Sequence, residues 1–148
     1  MNITIKRVDP TTKELYDVEL LRHKVFHLKT DERLIKTSYR VFHAKHNTLI
    51  PFALYVDDDL AAGCYITCLG DSLFVDFLFV KDEYQNSGLR LGRMLLSRIL
   101  ELKPIFEEHF KKQIKESKLT PSNPKAESIY EKLGYVSDEK SSYMRKTI

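Results

Sequence analysis

The chain has 148 residues, 43% hydrophobic and 30% charged, with a net charge of +3 and a pI near 8.8. That length and balance fit one globular domain, 1–148, with enough apolar material for a core. They exclude a repeat array, a collagen-like chain and a charge-driven disordered chain.

Basic residues alternate with acids, as in Lys111–Lys118 (KKQIKESK), so no basic stripe points to nucleic acid. The opening MNITIKRVDP has no apolar h-region, and no apolar run approaches the ~20 residues of a membrane span. The expectation is a cytoplasmic chain that binds neither nucleic acid nor membrane. Cys64 and Cys68 lie four apart in a strand-like segment, which separates them by about 13 Å; they read as free thiols.

Ile3 and Ile5 alternate with polar residues, predicting a strand over 2–8. Asp9-Pro10-Thr11-Thr12 is a turn into a helix carried by Leu15, Val18, Leu21, Val25 and Leu28. A second helix is expected over 31–42 from Leu34, Ile35, Tyr39 and Phe42. Residues 52–56, 60–69 and 72–80 read as three strands joined by the short turns Asp57-Asp58-Asp59 and Gly70-Asp71. A polar, glycine-containing loop follows over 81–92. Met94, Leu95, Ile99 and Leu102 then predict a helix that Pro104 breaks or restarts. Residues 115–120 read as a strand, 123–133 as a helix ended by Gly134, and 143–148 as a last strand. The order β-α-α-β-β-β-loop-α-β-α-β implies an α/β (α+β) fold. Its mixed sheet has about six strands, with helices on both faces and one parallel crossover.

Two segments carry chemistry. The loop Gln85-Asn86-Ser87-Gly88-Leu89-Arg90-Leu91-Gly92 leads from a strand into a helix start, where free N–H groups and the helix dipole favour phosphate. Arg90 and Arg93 add charge-assisted donors. A strand-to-helix turn with glycines for backbone reasons alone fits equally well. The segment is neither a P-loop nor a dinucleotide fingerprint. Further on, Ser122 or Asn123 caps a helix with Pro124 at its first position, and Ala126, Ile129, Tyr130 and Leu133 form its inward stripe.

Both segments resemble motifs of the GNAT (GCN5-related) N-acetyltransferases. The family loop reads Gln/Arg-x-x-Gly-x-Gly/Ala. Here Gln85 to Leu89 match, Arg90-Leu91 reads as an insertion, and Gly92 is the displaced second glycine. The pattern Asn-x-x-Ala-x-x-x-Tyr-x-x-x-Gly-Phe/Tyr is met in full by Asn123, Ala126, Tyr130, Gly134 and Tyr135, and the Tyr143–Lys146 segment looks like the closing strand. The resemblance covers Ile50 to the C-terminus.

The resemblance implies an acetyl-CoA-dependent N-acetyltransferase acting on a small-molecule or peptide amine, as monomer or homodimer, without a metal. The backbone of Leu78, Phe79 and Val80 would pair with the pantetheine arm, and N–H groups of Gln85 to Gly92 would hold the pyrophosphate. Asn123 would bond the pantetheine, and a backbone N–H near Val80 would stabilise the oxyanion. Tyr130 would protonate the departing sulfur. Asp76, two residues before Leu78 on the same strand face, is the candidate base; Glu19 with His23 is the weaker choice. His23, His27, His43 and His46 lack the spacing of a metal site and read as exposed helix histidines. Phe26, Tyr39, Phe42 and Tyr55 are candidate acceptor-site residues. The alternatives are an acyl-CoA-binding sensor without catalysis and a basic interaction module that shares only the fold.

Overall fold

The computed structural model describes residues 1–45 and 48–148; His46 lies outside them. The strands are β1 (Ile3–Arg7), β2 (Ile50–Val56), β3 (Asp59–Leu69), β4 (Ser72–Val80), β5 (Glu116–Leu119), β6 (Val136–Ser137) and β7 (Met144–Thr147). The helices are α1 (Lys13–Val25), α2 (Glu32–Ala44), α3 (Leu91–Glu101), α4 (Lys103–Phe110) and α5 (Pro124–Lys132).

All seven strands belong to one sheet, in the order β1-β2-β3-β4-β5-β7-β6. Every pairing is antiparallel except β4 with β5. That parallel pair closes the crossover through α3 and α4, as expected. The seventh strand was not expected: β6 is two residues long, too short to show as an alternation, and exists because β7 lies beside it.

The sheet divides the core in two. Ile50, Phe52, Leu54, Cys64, Ile66, Leu73 and Val75 pack against Leu91, Leu95 and Ile99 of α3, Phe106 of α4 and Tyr130 of α5. On the opposite face Ala53, Tyr65 and Phe79 pack against Leu15, Val18 and Leu21 of α1. The alternation of β2 and β3 thus feeds one hydrophobic cluster on each face.

Local signals set most boundaries. Asp31 caps α2 by accepting from the Arg33 N–H, and Asn123 caps α5 by accepting from the Ala126 N–H. Pro104 opens α4 instead of ending the helical run, because the first turn needs no donor there. α1 stops at Val25, three residues before Leu28. His27 turns left-handed at φ 55°, and the Leu28 N–H bonds the His23 carbonyl.

Two close approaches depend on glycine. A Cβ at Gly63 would lie 2.6 Å from Cζ of Phe79 and 3.0 Å from the Phe52 carbonyl oxygen, so this position lets the Phe79 ring lie across β3. A Cβ at Gly92 would lie 3.3 Å from Cγ2 of Val80, so Gly92 seats the start of α3 against the end of β4.

Candidate active site

β4 pairs with β5 only at Ser72, Leu73 and Phe74. From Val75 to Val80 it stays with β3 on one side, and no strand pairs with its other side. The two strands therefore part into a V. Its open edge offers unpaired main-chain groups of the kind an extended arm can join by strand addition.

A bulge sits inside this open stretch. Tyr65 pairs with Asp76 and Gly63 with Phe79, so Cys64 alone faces Phe77 and Leu78. Phe77 is left-handed, with φ 54°, and is 48% exposed. Such a conformation in a bulky residue is uncommon and is found where surrounding structure holds it. The bulge corrects the expectation that Asp76 and Leu78 share a face. Asp76 stands opposite Tyr65, whose ring belongs to the α1-facing cluster, whereas Leu78 packs on the α3 side.

At the far end of β4 the loop gathers unpaired N–H groups. A short 3-10 turn over Asp82–Tyr84 is followed by Gly88 at φ 81° and by Arg90, left-handed at φ 54° and ψ 48° at the N-cap of α3. Arg90 provides no side-chain cap. The loop does not present every N–H from 85 to 92. Gln85 donates to the Asp82 carbonyl, Ser87 to the Tyr84 carbonyl, and Leu89 to its neighbour Ser87 Oγ. The N–H groups of Asn86, Gly88, Arg90, Leu91, Gly92 and Arg93 keep no partner among the described residues. Consecutive free N–H groups around a left-handed residue make a concave anion site.

The side chains of the loop divide between core, strand and solvent. Leu91 is 1% exposed and belongs to the core, so only its backbone can reach a ligand. The Gln85 amide donates to the Val80 carbonyl at 2.9 Å, which ties the loop to the strand. Arg90 and Arg93 are exposed, without an ion pair among the described residues. With Gly88, Leu89, Arg98 and Glu101 they line a groove of about 760 Å³.

α5 meets the loop through Lys125, whose Nζ donates to Asn86 Oδ1 at 2.7 Å. The Asn123 Oδ1 is occupied by capping, at 2.8 Å from the Ala126 N–H, and its exposed amide nitrogen donates to Ser122 Oγ at 3.4 Å. Tyr130 is 8% exposed, and its hydroxyl bonds no described residue. Burial first, then neighbouring Tyr135 and Cys64, push its pKa up to about 12. Asp76 likewise has no hydrogen bond or ion pair among the described residues, and burial alone raises its pKa. The Cys64 thiol is pushed up by burial and then by the charge of Asp76. One thiol therefore lies within electrostatic reach of both unpartnered groups.

The other sequence candidates have structural work. Glu19 is fully buried in an ion pair with Arg22 and accepts the Tyr65 O–H, so it is not available as a base. His23 is 6% exposed, not an exposed helix histidine; its ring bonds the Lys29 carbonyl and Ser38 Oγ. Tyr55 bonds Glu14. Phe26 and Tyr39 pack against the second cluster, and Phe42 stacks on Tyr65 with ring centres 4.4 Å apart.

Arg22 was missed from the sequence. Its guanidinium carbon lies 5.5 Å from the centre of Phe42 and 4.8 Å from that of Phe77. The available signal was the polar set Glu19, Arg22 and His23 on a helix whose apolar residues are poorly segregated to one face.

No family model and no curated protein matches the chain. Solved structures do. The PaiA N-acetyltransferase of Thermoplasma acidophilum, in complex with coenzyme A, superposes with a TM-score of 0.65 at 18% identity, over 100% of both chains. An acetyltransferase of the GNAT family from Staphylococcus aureus Mu50 gives a TM-score of 0.68 at 15% identity, over 99% of both chains. A KacTA–DNA complex gives 0.65 at 18% identity, over 99% of this chain and 93% of that one. This chain has the GNAT acetyltransferase fold.

Proposed function

We propose that this chain is a member of the GNAT family, a single-domain N-acetyltransferase that moves the acetyl group of acetyl-CoA onto a primary amine. The observation that carries the proposal is the V between β4 and β5. Its unpaired β4 edge ends on the nest of free N–H groups before α3, and the uncommitted Tyr130 hydroxyl stands on α5. An extended arm, a pyrophosphate and a thioester sulfur need this order of partners.

These residues fit the co-substrate. The N–H groups of Gly88, Arg90, Leu91, Gly92 and Arg93 would hold the pyrophosphate, with the guanidinium groups of Arg90 and Arg93 adjacent. The backbone of Leu78, Phe79 and Val80 would pair with the pantetheine arm, and the Asn123 amide would donate to it. Acetyl-CoA supplies an activated thioester.

Asp76 would take the proton that a protonated amine must lose, directly or through water; its raised pKa makes it a better base than an ordinary carboxylate. A β4 N–H near Val80 would polarise the acetyl carbonyl. Tyr130 remains a neutral phenol at physiological pH. Against a thiol reference near ~8.5, a phenol at about 12 does not give up its proton outright. Its role is to donate a hydrogen bond that strengthens as charge builds on the sulfur.

The test pairs calorimetric titration with acetyl-CoA and thiol release against a panel of amines. Micromolar binding with release on one amine class supports the enzyme. Binding without release on a broad panel favours the sensor reading, and no binding removes the proposal.

A further inference from the structure

The V between β4 and β5 opens on both faces of the sheet. The phosphate loop, α3 and α5 occupy one face, and α1 and α2 the other. If acetyl-CoA enters from the first, the acceptor reaches the thioester from the second. Arg22 and Phe77 stand at that second mouth.

Arg22 is held unusually firmly for a long side chain. It is 8% exposed, and its Nε and Nη2 reach Glu19 at 2.8 and 3.0 Å in a two-pronged pair. Glu19 is itself fixed by Tyr65, at 2.5 Å. The flat guanidinium also has the rings of Phe42 and Phe77 at 5.5 and 4.8 Å. One donor edge is left over. Nη1 bonds no described residue, yet it is not among the sealed atoms that lack a partner, so it still meets solvent. A second cation stands across the cleft: Lys118, opposite Phe74 in the β4/β5 register, with its Nζ 5.7 Å from that ring. Between the two, on β4, is the uncommitted carboxylate of Asp76.

From this arrangement we infer the class of acceptor: a zwitterionic amine of amino-acid type, its carboxylate read by Nη1 of Arg22 and its amino group delivered towards Asp76. A guanidinium already ordered by Glu19 and two rings binds a carboxylate with little further loss of side-chain freedom. With Glu19 and Asp76 set against Arg22 and Lys118, the charges at this mouth balance, and a zwitterion matches them better than a polycation does.

The inference rests on the acetyltransferase reading, and its test keeps the two apart. Free amino acids are compared with their carboxamides, which lack the anionic group, and with a polyamine, each at a pH where its amine carries the same fraction of charge. Two readouts are used: thiol release with acetyl-CoA, and calorimetric binding of each acceptor to the protein saturated with coenzyme A. The expected result is a preference for free amino acids of about ten-fold or more in KM and in binding. The paired variant Glu19→Gln with Arg22→Gln leaves no lone buried charge. It should abolish that preference while keeping the acetyl-CoA affinity, with the fold checked by its melting curve. Arg22→Lys, which keeps the charge but not the fork, should retain part of it. Equal use of acids and amides by the natural protein overturns the inference and leaves the acetyltransferase standing. So does an undiminished preference in a folded paired variant. Preferred binding of amino acids without turnover on any amine overturns the enzyme and keeps the binding site, and neither binding nor turnover overturns both.

Discussion

The Nζ of Lys125 lies 2.7 Å from Oδ1 of Asn86, so the first turn of α5 is tied to the loop before α3. These two segments carry the proposed nest and the pantetheine-facing asparagine, and Lys125 adds a cation between them. Both side chains are exposed, so the contact contributes little to stability. Lys125→Met should therefore weaken acetyl-CoA about ten-fold at low salt and flatten the salt dependence of its Kd, with an unchanged melting temperature. Calorimetry at two ionic strengths measures this.

Tyr130→Phe removes a hydroxyl that bonds nothing among the described residues. It should lower kcat by about ten-fold or more and leave the acetyl-CoA Kd unchanged. Stability adds an independent check. Tyr130 holds its proton up to about 12 in the folded chain, against ~10 in the unfolded one. Its folded pKa is raised, so the stabilisation is complete below pH 10 and is lost between about 10 and 12. Alkaline unfolding curves of Tyr130→Phe should shift upward in pH relative to the natural protein.

Asp76→Asn should separate activity from stability. Burial raises the folded pKa of Asp76, so its charged form opposes folding. The sign is the reverse of a salt-bridged carboxylate: stability is lost as pH rises through the folded pKa. At neutral pH the amide should raise the melting temperature and lower kcat by about ten-fold or more, with the acid limb of the pH–rate profile removed. A variant that keeps full activity takes the base role away from Asp76.

Gly63→Ala places a carbon 2.6 Å from the Phe79 ring and 3.0 Å from a backbone oxygen, where neither neighbour can withdraw freely. Overpacking of this kind costs about 1–3 kcal/mol. Denaturant unfolding should show that loss with an unchanged m-value.

Arg90→Gly tests the inserted residues. Arg90 is left-handed at the N-cap, a conformation that costs a side-chain-bearing residue roughly 1–2 kcal/mol. Glycine relieves it and removes one unpaired cation from the loop. The variant should melt higher and bind acetyl-CoA several-fold more weakly. A gain on both counts would mean that Arg90 contributes backbone shape and no phosphate contact.

Much of this molecule was legible from residues close together in the chain. The strand-like runs and short turns of 50–80, the caps at Asp31 and Asn123, Pro104 at a helix start and the strand-loop-helix around Gly88 are local signals, because strand propensity, turn chemistry and capping act within a turn or two. The Asn123 to Tyr135 pattern and the loop motif pointed to the fold the structure has, although the loop departs from the family pattern at Arg90-Leu91. What the tertiary structure decided is non-local. β4 leaves β5 after Phe74, and a bulge at Phe77 turns Asp76 to the face opposite Leu78; both are set by register with other strands. Leu91 is core because α3 packs on the sheet, whatever the loop motif requires. Glu19, Arg22 and His23 look like a solvated patch in sequence, since charged residues are rarely buried. They are inside because Tyr65, Phe42, Phe77 and Ser38, from three other elements, converge on α1 and satisfy their charges and hydrogen bonds.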